Sequence, residues 1–251
     1  MCCYNIEGIL ATVRAAEAKR SPAMILLFPW AVEYADGILV HAAAEAARKA
    51  GVPITVHLDH AQSAAMIRRA ADLGGFDSIM VDMSHYAKAQ NLAQTAELVG
   101  YCHARGIATE AEPGRIEGGE DGVADPLALA LEGLLTSPEE SEEFVATGID
   151  WLAPALGMCM GSMGRAASSW SMSGCGGFMR GWAIAQEIFQ KCIDCGVAKV
   201  NINKVLNNEY VRVQREKAGR VPLTALLEEA TDEMQKAVER CMDMLGSTGR
   251  Y

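Results

Sequence analysis

Apolar, β-branched runs alternate with stretches of helical spacing along nearly the whole of this 251-residue chain. A second parallel strand can lie beside the first only after a crossover of a dozen or more residues, usually a helix. The alternation therefore limits the fold more than any other feature. Residues 6–19 have helical spacing, AMILLFP at 23–29 reads as a buried strand, and the Ala-rich stretch 33–50 reads as a helix ending at Gly51 and Pro53. Strands follow at 54–60, 78–84, 107–113, 150–157 and 197–203, with helices at 63–74, 88–105 and from Ser137. At the last of these, Ser-Pro-Glu-Glu supplies an N-cap, a proline at the first helical position and acids in the first turn. EIFQKCIDCG is helical, and the final forty-odd residues are amphipathic helix with a break near Val221 and Pro222. No GxGxxG opens a helix after the first strand, so a doubly wound sheet is disfavoured. The pattern predicts an α/β fold, a (β/α)8 TIM barrel, as a single domain over residues 1–251; such barrels need about 250 residues.

The strand ends carry the chemistry. VPITVHLDHAQ (52–62) ends in Asp59 and His60, FDSIMVDMSH (76–85) reaches Asp82, and the segment from 108 carries Glu110 and Glu112. Acids and imidazole at the carboxyl ends of successive parallel strands are where a barrel of this kind places its active site. Residues two apart share a face of a strand, so His57 points with Asp59 and Glu110 with Glu112, while His60 sits at the loop edge. Imidazole is a good zinc ligand and a nearby carboxylate can move protons. His41, His85 and His103 read as structural.

The net charge of −10 argues against a nucleic-acid groove. No apolar run approaches the ~20 residues of a membrane span, and MCCYNIEGIL lacks the form of a signal peptide. The eight cysteines then read as reduced, cytosolic thiols, and the lone CxxC of Cys192 and Cys195 as two small residues on a core helix.

HLDHA, GGFDSIMVDMSH, EAEPGRIEGGEDG, TGIDWLAPALG and GVAKVNIN together resemble the class II, zinc-dependent ketose-bisphosphate aldolases, which cleave fructose or tagatose bisphosphate. KVNINKVLNNEYVRVQ and the C-terminal helix resemble the fungal branch. The resemblance implies a cytoplasmic lyase releasing dihydroxyacetone phosphate and an aldehyde, with a sugar bisphosphate as its partner and a homodimeric assembly. It implies Asp59 as catalytic acid/base and His60 as a zinc ligand. Asp82 and Glu112 would then serve a further metal position or support the site, and Asn201, Asn203 and Gly161 would contact substrate.

The chain also departs from that family. Two further zinc histidines are expected after the first, in a GNVHG-like motif and an LHG phosphate loop, yet no histidine follows His103. Met160 stands at the first of these places, and the LHG strand and loop are missing. Residues 158–182 hold five of the thirteen methionines and show no strand period. Read one base out of frame, codons for MCMGSMG accommodate NVHGEYG, so residues 158–183 have the mark of a shifted reading frame. MCCYNIEG resembles the end of the family's first strand, so the N-terminal strand is expected to be clipped. Lys204 replaces the threonine common in the family. These departures predict an incomplete barrel with little or no turnover. The alternative function is a non-catalytic aldolase-like barrel that binds a partner or another copy. A metal-free lyase with Lys199 or Lys204 as Schiff base leaves Asp59 and His60 without a role.

Overall fold

The structure, a computed structural model, describes residues 1–114, 136–154, 169–171 (backbone only) and 189–251. These fall into two compact units, Met1–Val56 with Ile202–Tyr251, and His57–Asn201.

The first unit contains α1 (Ile6–Lys19), β1 (Ala23–Leu27), α2 (Pro29–Tyr34), α3 (Ile38–Lys49) and the start of β2 (Ile54–Ala61). It ends with α7 (Lys204–Lys217) and α8 (Leu223–Met244), the labels α4 to α6 belonging to the second unit. Asn5 caps α1 by accepting from the Gly8 N–H at 2.9 Å, and Arg20 ends it in the left-handed region at φ 48°. The buried stripe of α1, including Ile9, Thr12, Ala15 and Ala16, lies along α8. Leu226, Ala230, Met234, Ala237, Val238 and Cys241 form the buried stripe of α8. The N-terminus is extended and runs parallel to β1: Cys2 bridges to Leu26, and Leu26 N–H donates to the Met1 carbonyl at 2.9 Å. One sequence expectation is divided here. Where a strand to 29 and a helix from 33 were expected, Pro29 starts the short helix α2, and Asp36 (φ 44°) with Gly37 (φ 79°) turns the chain into α3.

The second unit carries a parallel sheet in sequence order, from β2 through β3 (Ser78–Val81) and β4 (Ala108–Ala111) to β5 (Trp151–Leu152). Its crossovers are α4 (Ala64–Leu73), α5 (Lys88–His103) and α6 (Pro138–Val145). Ser63 caps α4, and the expected start of α6 is a full capping box, with Ser137 and Glu140 each accepting from the other's backbone N–H at 3.1 Å. Phe144 on α6 is fully buried with Ala111 and Leu152, against Leu92 and Ile149. A second, two-stranded parallel sheet joins β6 (Ser169–Ser171) to β7 (Lys199–Asn201). The strand β6 falls inside the stretch where the sequence shows no strand period. A strand edge offers backbone N–H and C=O groups whatever its neighbour's side chains are, and parallel pairing satisfies them. The parallel α/β architecture is as expected.

Among the described residues no helix is long and apolar enough to cross a membrane. Cys192 is buried and Cys195 exposed, both free.

Candidate active site

Strand β2 supplies three of the site's side chains, and its geometry departs from simple alternation. His57 and Asp59 lie on one face as expected, fully buried, with Leu58 between them on the other. Between Leu58 and Ala61 the register against β3 shifts. His60 within that shift has φ 48°, a left-handed conformation uncommon outside glycine. Such an irregularity re-aims one side chain, and strain of this kind persists where the surroundings over-determine it. His60 is thereby brought into the buried polar centre from a position that alternation would send the other way.

β3 supplies Ser78 and, one residue past its end, Asp82; β4 supplies Glu110 and, one residue past its end, Glu112; β7 adds Lys199 and Asn201. They form two clusters, each an imidazole with two carboxylates whose ligand atoms lie within 4.8 Å of one another: His57–Asp59–Glu110 and His60–Asp82–Glu112. In the first, His57 Nδ1 and Ser78 Oγ are 2.7 Å apart. His57 Nε2 lies 3.1 Å from Glu110 Oε2 and 3.7 Å from Asp59 Oδ1. It is aligned as a hydrogen bond to neither. Lys199 Nζ donates to Glu110 Oε2 at 2.5 Å, and Asn201 Nδ2 donates to both oxygens of Asp59 at 3.0 Å. The Asn201 carbonyl oxygen is buried with no hydrogen-bond partner among the described residues.

In the second cluster, His60 Nδ1 and Gln62 Nε2 both donate to Asp82 Oδ2 at 3.1 Å. Ser84 donates to Asp82 Oδ1 from its backbone N–H at 3.1 Å and from its hydroxyl at 2.6 Å. Glu112 Oε2 lies 3.7 Å from His60 Nδ1. Because Asp82 takes the Nδ1 proton, the His60 lone pair sits on Nε2, the arrangement by which a carboxylate orients a metal-binding imidazole. Burial pushes Asp82 up, but the hydrogen bonds from His60, Ser84 and Gln62 outweigh it and bring the carboxyl down to about 2. Burial also opposes ionisation of Asp59, and the nearby His60, His57 and Lys199 hold it below the usual carboxylate range. Glu110 is lowered against its burial chiefly by Lys199. The site thus keeps three buried carboxylates ionised.

The clusters differ as cation sites. The first already holds the ammonium of Lys199 against Glu110. The second sets an imidazole, its Nδ1 held by Asp82 and its lone pair on Nε2, close to two ionisable carboxylates, donor types that suit a divalent metal.

The sequence model of class-II fructose-bisphosphate aldolases matches residues 1–172 and 181–250. The chain belongs to that family. A Coccidioides immitis protein named as a fructose-bisphosphate aldolase is 60% identical over an alignment of 269 positions that covers 100% of this chain and 88% of the relative. The fructose-bisphosphate aldolase of Geobacillus stearothermophilus is 32% identical, covering 98% and 90%. Among solved structures, a Coccidioides immitis fructose-1,6-bisphosphate aldolase superposes with a TM-score of 0.88 at 58% identity, covering 99% of this chain and 91% of that one. The YdjI aldolase of Escherichia coli K12 gives 0.77 at 26% identity, covering 99% and 91%. The family match skips residues 173–180. The 269-position alignment is longer than the chain, so the Coccidioides relative carries positions with no counterpart here.

Of the residues the sequence singled out, Asp59, His60, Asp82, Glu112 and Asn201 come together in the second unit. Asn203 is in the first unit, where its Nδ2 donates to the Tyr4 hydroxyl at 2.8 Å and its Oδ1 accepts from Asn207. Gly161 and Met160 lie outside the described residues. Sequence reasoning assigned no function to His57, Ser78 or Gln62, and weighed Lys199 only as a Schiff base. The period of two that pairs His57 with Asp59, and Lys199 with Asn201, was the available signal.

Proposed function

We propose that this chain is a class II aldolase that cleaves a ketose 1,6-bisphosphate, fructose or tagatose, reversibly to dihydroxyacetone phosphate and an aldehyde, with its turnover strongly reduced. One observation carries the reading: a buried carboxylate, Asp59, and a mixed imidazole–carboxylate cluster, His60–Asp82–Glu112, share one buried centre at the ends of β2, β3 and β4. His60, with Asp82 and Glu112 as ligands or as its support, would hold a zinc ion. Bound there, zinc supplies a Lewis acid for the ketose carbonyl. Asp59, ionised and held by Asn201 at both oxygens, accepts the proton of the substrate hydroxyl that becomes the aldehyde and returns it in the condensation direction. Asn201, whose carbonyl oxygen has no hydrogen-bond partner among the described residues, would bind a hydroxyl of the dihydroxyacetone phosphate half; the family resemblance also assigns substrate contacts to Asn203 and Gly161. Lys199 is no Schiff base in this scheme, since its ammonium is committed to Glu110.

The reduction in turnover follows from the donor set. The chain's five histidines all precede residue 104, so one imidazole stands where the family resemblance implies three. The alternative reading is a non-catalytic barrel that binds a partner. Zinc content decides between them. Purified chain dialysed against zinc should retain close to one equivalent, by mass spectrometry, and His60→Ala should lose it. Equal zinc in both would remove His60 from the site, and none in either would favour the non-catalytic barrel.

A further inference from the structure

The polar cluster of His57, Ser78, Glu110 and Lys199 has no place in the scheme so far, though three of the four are buried and Lys199 is largely so. His57 and Ser78 are 0% exposed, Glu110 1%, and the Lys199 side chain 11%. A lysine, a glutamate and a histidine withdrawn from water together are expensive unless each is held, and the histidine lies 3.7 Å from an atom of the proposed reaction, Asp59 Oδ1.

We propose that Lys199, Glu110 and His57 are positioning residues for Asp59, acting in sequence. Lys199 Nζ, 2.5 Å from Glu110 Oε2, fixes that carboxylate and keeps it an acceptor. Glu110 then decides which nitrogen of His57 carries a proton. A lone pair on Nε2 would face carboxylate oxygens at 3.1 Å on Glu110 and 3.7 Å on Asp59, and would be repelled by both. The proton therefore sits on Nε2, and Nδ1 accepts from the Ser78 hydroxyl at 2.7 Å. The Nε2–H bond, aligned on neither carboxylate, leaves one donor between Glu110 and Asp59. With Asn201 Nδ2 also donating to both oxygens of Asp59, the carboxylate is held in one orientation. None of the three touches substrate, so their loss acts on the rate of the chemical step and not on binding. This inference rests on Asp59 being the acid/base.

Two measurements test it. The first reads the tautomer without turnover: long-range 1H–15N spectra of the histidine rings in the whole chain, with His57 identified from the peaks missing in His57→Asn. A proton on His57 Nε2 with Nδ1 as acceptor is expected. A proton on Nδ1 with a bare Nε2 overturns the proposal. The second is steady-state kinetics of Lys199→Met and Lys199→Arg with fructose 1,6-bisphosphate. Lys199→Met should lower kcat at least tenfold with KM within twofold, and Lys199→Arg should recover most of the loss. A matching rise in KM, or an arginine variant as poor as methionine, makes the lysine merely structural and overturns the proposal. If the unsubstituted chain shows no cleavage, the aldolase reading fails on its own, and the tautomer still decides whether the three residues act as described.

Discussion

Replacing Asp82 by asparagine removes one charge and hardly changes shape, so its effect isolates what the buried carboxylate contributes. Four donors converge on it: His60 Nδ1 and Gln62 Nε2 on one oxygen, and the backbone N–H and hydroxyl of Ser84 on the other. An asparagine amide can satisfy one side, and His60 and Gln62 can adapt by exchanging tautomer or turning the amide. Every bond then falls from charge-assisted to neutral. The net balance, after the cost of burial, is contained in the carboxyl's position near 2. Against ~3.9 in an unfolded chain, and at about 1.36 kcal/mol per pH unit, the charge contributes about 2–3 kcal/mol at neutral pH. Because the folded value is the lower one, this contribution is complete above roughly pH 4 and disappears as the pH falls through about 2. Urea unfolding of the metal-free chain and of Asp82→Asn, at steps from pH 7 to pH 2.5, should show a gap of about 2–3 kcal/mol that closes toward the acid end. A gap under about 0.5 kcal/mol at pH 7, or one that ignores pH, would refute the claim that these four bonds hold an ionised group.

The remaining expectations concern packing, capping and catalysis. Phe144→Ala should destabilise the chain by about 3–5 kcal/mol in the same urea assay, since Phe144 is fully buried against Ala111 and Leu152. Ser137→Ala removes half of the capping box and should cost about 1 kcal/mol, with faster hydrogen exchange in the first turn of α6 and little change elsewhere. Asp59→Asn should lower residual kcat roughly a hundredfold while leaving zinc content unchanged, because the acid/base is lost and His60, Asp82 and Glu112 remain.

The parts of the fold that local physics controls were legible in the chain. Ser137-Pro138-Glu139-Glu140 carries its own cap, and the expected helix start is the observed one. Gly74 ends α4 at φ 77°, where a Cβ would be strained. The facing of His57 with Asp59 follows from the period of two. His60 does not follow from it: a strict strand turns it away from Asp59, and only the register shift against β3 explains its place among Asp82 and Glu112. That shift is set by pairing with another strand and has no local signature. The same holds for Asn201 on Asp59, 142 residues apart, and for Lys199 on Glu110, 89 apart. Nothing in either segment alone points to its partner, and only the family resemblance linked Asn201 to the site. The helix α2 was missed for a different reason. Pro29 closes an apolar, strand-like run, yet proline also favours the first helical turn, and Gly37 marks the break before α3.

The most direct measurement is the release of dihydroxyacetone phosphate from fructose 1,6-bisphosphate by the purified chain, with zinc, with a chelator, and in Asp59→Asn. Slow cleavage that zinc supports, that the chelator abolishes and that the substitution lowers roughly a hundredfold is the predicted result. Cleavage at the rate of a full family member, or cleavage that survives both treatments, would contradict an aldolase site built on Asp59 and a single zinc-binding imidazole.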